Sequence, residues 1–582
     1  MRVCWLLMSV CLASDPLCAQ EDEALHELFS QEWQAVLAEN PVYASELGVR
    51  RSNRKWPDVS LKAHHAVASR VRSGLQAIRE IETDTLSQED RLNHRLFERQ
   101  YAADVREQPF QLYLLALNQR EGIQNCSQVV DLLRFDTVED YKDWIARLNA
   151  FPLYMAQTMS LLKQGVRVGM VHPRVVMQRV PDQIRKQVVA RPEDSPFYKP
   201  FRNFTAELSE EERRQLRSEA SDAIERCVIP SWRVFLEFFE TEYLPACYEG
   251  VGCWRRPRGQ EMYAVLAERY TTTSLTPQEI HQIGLNEVAR IRGLMDDVRQ
   301  QAGFKGSFQE FLTFLRTDSQ FYFDDGQELL AAYRACCARI DPQLPKLFRR
   351  LPKAGYEVQP IPMLMAPDTT TAYYQSPSAD GRRPGVYYVN LYRPEARPKY
   401  EIEALSLHES VPGHHFQIAL SMELQNIPEF RRYGGYTAFI EGWGLYSEKL
   451  GEELDMYQDP YARFGQLTYE MWRAVRLVVD TGMHSLQWSR ADAIDYFRQN
   501  TAKSILDIEN EVDRYIAWPG QALAYKMGEL KIRELRDRAE TQLNDKFDVR
   551  EFHEVVLRHG AVPLDVLETI VDDWLAGFGD EQ

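Results

Sequence analysis

No Cys-x-x-Cys pair occurs in the 582 residues, which excludes a cysteine-based zinc ribbon. No Gly-x-Ser-x-Gly turn occurs either, so serine hydrolase chemistry lacks its usual support. Positive charge is in deficit. Lys and Arg number 69 against 86 Asp and Glu, a net charge of −17, so a nucleic-acid partner is not expected. Past the N-terminus no stretch reaches about eighteen uninterrupted apolar residues, so no membrane span is expected in the mature chain. Internal repeats and low-complexity tracts are missing too.

The N-terminus is the exception to this even texture. Met1-Arg2 gives a positive start, Val3 to Ala13 is an apolar run, and Leu17-Cys18-Ala19 reads as the end of a cleavage site. Residues 1–19 are therefore expected to be a secretory signal, with a periplasmic or secreted mature chain. Leu17-Cys18 lacks the small residue that a lipid-anchored cysteine carries before it. Six cysteines remain beyond the signal, and Cys247 and Cys253, flanking a short loop, are candidates for a disulfide.

Apolar residues recur at three- and four-residue steps over Glu23 to Glu39, Leu61 to Thr83, Ser87 to Arg106 and Val138 to Lys163. The same spacing predicts helices at Ser209 to Cys227, Ile229 to Tyr243, Thr276 to Ala302, Ser307 to Leu315 and Gly326 to Leu344. Between Tyr356 and Leu391 the texture changes. Tyr356 to Pro362, Thr371 to Gln375 and Val386 to Leu391 read as strands, the last with an edge expected to pair with an extended peptide. The expected class is thus mainly α with a small sheet. The Pro- and Gly-bearing segment Cys247–Gly259 marks a boundary between an N-terminal helical lobe, 20–255, and a catalytic lobe, 256–582.

Directly after the sheet comes His408-Glu409-Ser-Val-Pro412-Gly413-His414-His415. A zinc-binding helix of the HExxH kind sets its second His at i+4, with the Glu as general base. Here Pro412 holds that place. Proline removes a helix donor and glycine tolerates unusual torsions, so a break at Pro412-Gly413 would carry His414 to the position of i+4. His414 is then the second ligand and His415 its support; the reverse assignment stays open, because His415 at i+7 shares the face of His408. Downstream, Glu441 and Glu448 lie seven apart on one helix face among Phe439, Ile440 and Trp443. A carboxylate there is costly unless a cation compensates it, so Glu441 is the expected third ligand and Glu448 a supporting or alternative one. Zn2+ is the expected cofactor. Spacing alone proves nothing, because His553-Glu554 with His559 repeats it on what reads as a surface helix.

Glu409 is the expected general base. His484, Tyr515 and Tyr525 are candidate donors to a developing oxyanion. Arg476, Asp480 and His484, spaced by four, suggest a hydrogen-bonded row on one helix face. Arg382 or Arg383 beside the third strand is a candidate for holding a terminal carboxylate, and Tyr388, Asn390 and Arg476 are further candidates for holding a substrate.

Several segments together resemble the bacterial domain-of-unknown-function 885 family. They are Gly381-Arg-Arg-Pro-Gly-Val-Tyr-Tyr-Val-Asn390, His408 to His415, Glu441-Gly-Trp-Gly-Leu-Tyr446, Arg473 to His484 and Arg514 to Lys526. The family is similar in character to helical gluzincin peptidases, including the carboxypeptidase Taq type. The resemblance implies a two-lobed helical body, a central cleft, and zinc held by two His and one Glu. The expectation that follows is an exported zinc metallopeptidase acting on short peptides. The alternatives are a metal-dependent amidase or esterase, or a secreted peptide-binding protein without turnover. Oligomeric state is not legible.

Overall fold

The computed structural model describes residues 16–578 apart from 206, 364–365, 379–380 and 382, so Arg382 and residues 1–15 of the expected signal lie outside the described residues. The first described helix is Pro16–Glu39. The described chain is mainly helical, with one three-stranded mixed sheet. Helix starts follow the side-chain oxygens that satisfy the first free N–H groups. Ser60 and Ser87 each accept one such bond, and Thr276 with Glu279 and Ser307 with Glu310 form reciprocal capping boxes. The periodic run from Val138 to Lys163 is two helices, Val138–Asn149 and Phe151–Val168, because Pro152 can occupy a first turn but not a helix interior. Cys247 and Cys253 are not bridged; their sulfurs contact the carbonyls of Tyr243 and Gly259 respectively.

The sheet consists of β1 (Tyr356–Pro360), β2 (Ala372–Gln375) and β3 (Gly385–Val389) in the order β1-β3-β2. β3 runs parallel to β1 and antiparallel to β2, with Tyr373 opposite Tyr388. The edge expected on the Val386–Leu391 strand is therefore not there. β3 is paired on both sides, and the open edges belong to β1 and β2.

Seven helices carry the suspected chemistry or brace the helices that do. They are α1 (Pro277–Gln301), α2 (Ile402–Glu409), α3 (His414–Met422), α4 (Thr437–Leu450), α5 (Pro460–His484), α6 (Ile505–Ala517) and α7 (Ala524–Leu543). α1 lies along α5, and α4 packs against α7. Every residue of α5 from Phe464 to His484 is buried, although Glu470, Arg473, Arg476 and Asp480 are among them. Charges enclosed in this way have to be paired. The clearest case is the fully buried Lys526 of α7. Its Nζ lies 2.9 Å from Glu287 of α1, 3.0 Å from Glu470 of α5 and 2.8 Å from Glu529 of α7. Three helices thus close on one ammonium.

Removing that ammonium would leave the carboxylates facing one another without water. Lys526→Met is expected to cost about 3–5 kcal/mol, the usual penalty for breaking a buried ion pair from one side. Urea unfolding curves of the two proteins measure it; an unchanged midpoint would contradict the clamp.

Candidate functional site

The turn after His408 is a full break in the helix rather than a distortion of it. α2 ends at Glu409, Ser410 leaves the helical region at φ −98° and ψ −112°, and α3 begins at His414. Two contacts fix the break. The Trp443 indole of α4 donates to the carbonyl oxygen of Pro412 at 2.7 Å. Gly413 packs so tightly that a Cβ there would stand 1.9 Å from the carbonyl oxygen of His408. No side chain fits in that space.

The break brings three donors together. Nε2 of His414 lies 3.3 Å from Oε2 of Glu441, and Nε2 of His408 lies 3.6 Å from the same oxygen. The two rings cross nearly edge to face with centroids 4.6 Å apart. Ligands at about 2.0–2.1 Å from a tetrahedral cation stand roughly 3.3 Å from one another, so these separations suit a metal ion. All three donor atoms lie within 4.8 Å of one another, and both histidines are buried. His408, His414 and Glu441 therefore form a candidate metal centre.

Glu448 lies behind it, fully buried. Nδ1 of His408 donates to its Oε1 at 2.8 Å, and Arg473 approaches that oxygen at 3.2 Å. A histidine whose far nitrogen is held by a carboxylate presents the other nitrogen, unprotonated, to a metal. Gly444 keeps the ring in place, since a Cβ there would be 2.8 Å from Cε1 of His408. Burial by itself would lower the His408 pKa, but Glu441 and Glu448 outweigh it and push the imidazole up to about 9. Burial likewise works to raise Glu441, yet His414 and His408 hold it well below the usual carboxylate range. The pocket attracts positive charge.

His415, the alternative ligand, faces elsewhere. Its Nε2 donates to Ala354 O at 2.9 Å and its Nδ1 lies 3.0 Å from the Tyr374 hydroxyl, so it ties α3 to the sheet. Burial lowers its pKa to about 4, which keeps it neutral in that role. The helix of His553 also differs from its sequence reading. His553 is not on a surface face but fully buried, bonded to Leu347 O and the Tyr446 hydroxyl.

A cavity of about 300 Å³ opens onto the centre, and His408, Glu409, His414 and Glu441 line it. The rest of the wall includes Tyr373 and Tyr374 of β2, Tyr525, Arg120, Arg473, Arg476 and Arg514. The Tyr525 ring lies nearly parallel to that of His408, with centroids 6.4 Å apart. Glu511 gathers the cations. Its Oε2 accepts from Arg476 at 3.1 Å, Arg514 at 3.0 Å and the Tyr515 hydroxyl at 2.9 Å. Burial favours protonating Glu511, but Arg514, Arg476 and Arg120 keep it ionised.

Of the described residues expected as oxyanion donors or substrate contacts, Arg476 and Tyr525 reach this cavity and five others do not. Tyr515 is fully buried, its hydroxyl occupied by Trp472, Arg476 and Glu511. His484 is enclosed between the Cys253 N–H and Tyr515 O, and burial lowers its pKa to about 3. Asn390 spends its amide on Ala366, Thr369 and Thr370, shaping the chain that enters β2. Tyr388 stacks on Tyr373 at 5.0 Å, and Arg383 is held through its backbone N–H by Ser378. The expected row on α5 is not a relay, since Asp480 turns to the Tyr263 hydroxyl at 2.6 Å and the Gly520 N–H at 3.1 Å. Sequence reasoning missed Arg120, Arg514 and Glu511 as cavity residues. Arg514 and Glu511, three apart on α6, carried a usable signal; Arg120 had none.

A family profile described as bacterial protein of unknown function (DUF885) matches residues 41–571. The crystal structure of the putative lipoprotein from Colwellia psychrerythraea is similar at TM-score 0.91 and 30% identity, covering 96% of this chain and 99% of that one. The structure of a putative lipoprotein of unknown function from Shewanella oneidensis matches at TM-score 0.70 and 15% identity, over 95% and 99% of the two chains, which shows a shared fold. No curated protein matches significantly.

Two outcomes follow from this geometry. Glu448→Gln is expected to weaken metal binding about 10- to 100-fold, read by competition with a chelator, because the bond orienting His408 loses its charge. Asp480 supplies a pH test. Burial raises its pKa to about 7, against the partial offset of Tyr263 and Gly520. A raised carboxyl stabilises the fold fully below its unfolded pKa, and that contribution is lost as pH rises from about 4 through 7. Asp480→Asn should abolish this loss, worth on the order of 4 kcal/mol by thermal or urea unfolding; equal pH profiles would contradict it.

Proposed function

The chain belongs to the bacterial DUF885 family of unknown function, and we propose that it is an exported zinc-dependent hydrolase, specifically a peptidase of short peptides. One observation carries the reading: a buried two-His, one-Glu donor set shares a cavity with a carboxylate, Glu409, next in sequence to a ligand. Two nitrogens and one oxygen at these separations suit zinc, and three protein ligands leave a position open, as catalytic rather than structural sites do. A cation held there supplies Lewis-acid activation of water and of a carbonyl.

The protein's own groups do the rest. Glu409 faces the cavity, and among the described residues nothing hydrogen-bonds its carboxylate. It takes a proton from the attacking water and passes it to the leaving nitrogen. The half-buried Tyr525 hydroxyl is the donor for the developing oxyanion. β2 offers the substrate a backbone edge. Thr371 O accepts from Asn390 N, so alternation in an antiparallel pair turns the N–H and C=O of Ala372 and Tyr374 away from β3, on the strand that lines the cavity. The cavity is the proposed cleft between an N-terminal helical lobe and a catalytic lobe meeting near residue 255. The lipoprotein description of two structural relatives supports export, with residues 1–19 as the signal.

The test is a peptide library read by mass spectrometry. Cleavage should stop with a chelator and return with zinc. Glu409→Gln is expected to reduce turnover about 10²- to 10⁴-fold while metal content stays unchanged. A metal-loaded protein that leaves the library intact would remove the peptidase reading.

A further inference from the structure

The cavity at the metal centre has a larger neighbour. Arg120 and Glu121 line both, and the second cavity, of about 550 Å³, is walled chiefly by residues between Gln119 and Arg202. Four glutamines of that wall, Gln119, Gln124, Gln183 and Gln187, are held in the same way. The amide nitrogen of each donates to a main-chain carbonyl: Gln119 to Asp513 at 2.9 Å, Gln124 to Asn118 at 2.5 Å, Gln183 to Gln119 at 2.8 Å and Gln187 to Gln124 at 3.1 Å. A carbonyl only accepts, so the orientation of every amide is fixed and its oxygen is the free end. None of the four oxygens has a hydrogen-bond partner among the described residues, although Gln119, Gln124 and Gln187 are buried. An unmade bond of this kind is costly, and four in one wall call for a common donor.

The rest of the wall selects that donor. Among its lining residues only Val130, Pro196 and Pro362 are apolar, so an apolar ligand finds little surface to bury. Charges nearly cancel, four cations against three carboxylates, with Lys199 paired to Asp131 and Arg202 taken by the carbonyls of Glu193 and Ser195. That balance does not favour an ammonium. An extended peptide turns an N–H to one side only at every second residue, about 6.8 Å apart. A sugar carries a hydroxyl on nearly every ring carbon, and each hydroxyl both donates and accepts. We propose that this chamber binds an uncharged saccharide unit, and that the substrate of the metal centre is a short peptide bearing a sugar. The second half rests on the hydrolase reading above; the first does not. The sugar itself stays intact. Water adds its oxygen to the amide carbonyl, the C–N bond breaks, and the leaving nitrogen takes the proton held by Glu409.

The experiment is saturation-transfer NMR of the unmodified protein with uncharged hexoses, N-acetylhexosamines and their disaccharides. At least one is expected to bind, equally well before and after metal removal by a chelator. Calorimetry with that sugar should show affinity falling about tenfold in Gln183→Leu, a half-buried position, with zinc content and thermal unfolding unchanged. Crystals soaked with the sugar supply a second reading, density in contact with Gln119 and Gln187. No saccharide signal, an affinity that Gln183→Leu leaves as it was, or tighter binding of 1,5-diaminopentane overturns the chamber's assignment. Turnover tests the rest. A peptide glycosylated on serine within two residues of the cleaved bond should be hydrolysed about tenfold faster, in kcat/KM, than the bare peptide. Equal rates with the sugar bound would overturn the substrate class. Sugar binding with neither peptide cleaved would remove the hydrolase and leave the chamber.

Discussion

Two carboxylates of α4, Glu441 at the edge of the cavity and the fully buried Glu448, hold the His408 imidazole between them. Enclosed negative charge is the constraint on which the rest of the site depends. Arg473 answers Glu448, while Glu441 faces His414 and the edge of the cavity. A divalent cation is the economical way to neutralise what remains, and the donors already stand at the separations that one requires. The oriented imidazole, the broken turn and the pinned indole all serve that arrangement.

Rigidity comes from outside the centre. α5 passes behind the cavity and is buried along nearly its whole length, so its charged side chains are spent on fixing neighbours. Glu470 joins the Lys526 clamp, Asp480 holds the Gly520 turn, and His484 holds the Cys253 loop. A site whose ligands sit on helices braced in this way keeps its geometry before any substrate arrives. Arg473 and Arg476 differ from these, since both line the cavity and each has one guanidinium nitrogen without a hydrogen-bond partner among the described residues.

How much of this was legible in the sequence varied with the range of the forces involved. Helix starts and the three strands were readable because caps and side-chain periodicity are local. The donor set was readable because Pro412-Gly413 announces a break, and Glu441 and Glu448 sit in apolar company on one face. Which histidine of the pair turns inward was not readable, since that depends on Trp443 and on the space around Gly413, contacts from another helix. Strand order was equally hidden, because alternation marks a strand without naming its neighbours; the edges lie on β1 and β2 rather than on β3. His484 and Tyr515 were singled out on motif position, yet their partners include Cys253, far away in the chain. Arg120 comes from a loop with no motif and reaches the cavity only through tertiary packing.

The central claim is that one cation is gripped by His408, His414 and Glu441. X-ray anomalous scattering from crystals grown with zinc tests it most directly. A single strong peak is predicted within about 2.0–2.1 Å of Nε2 of both histidines and an oxygen of Glu441, with Glu448 bonded to the far side of His408. No peak at this position, or a peak coordinated by His415 in place of His414, would contradict the account.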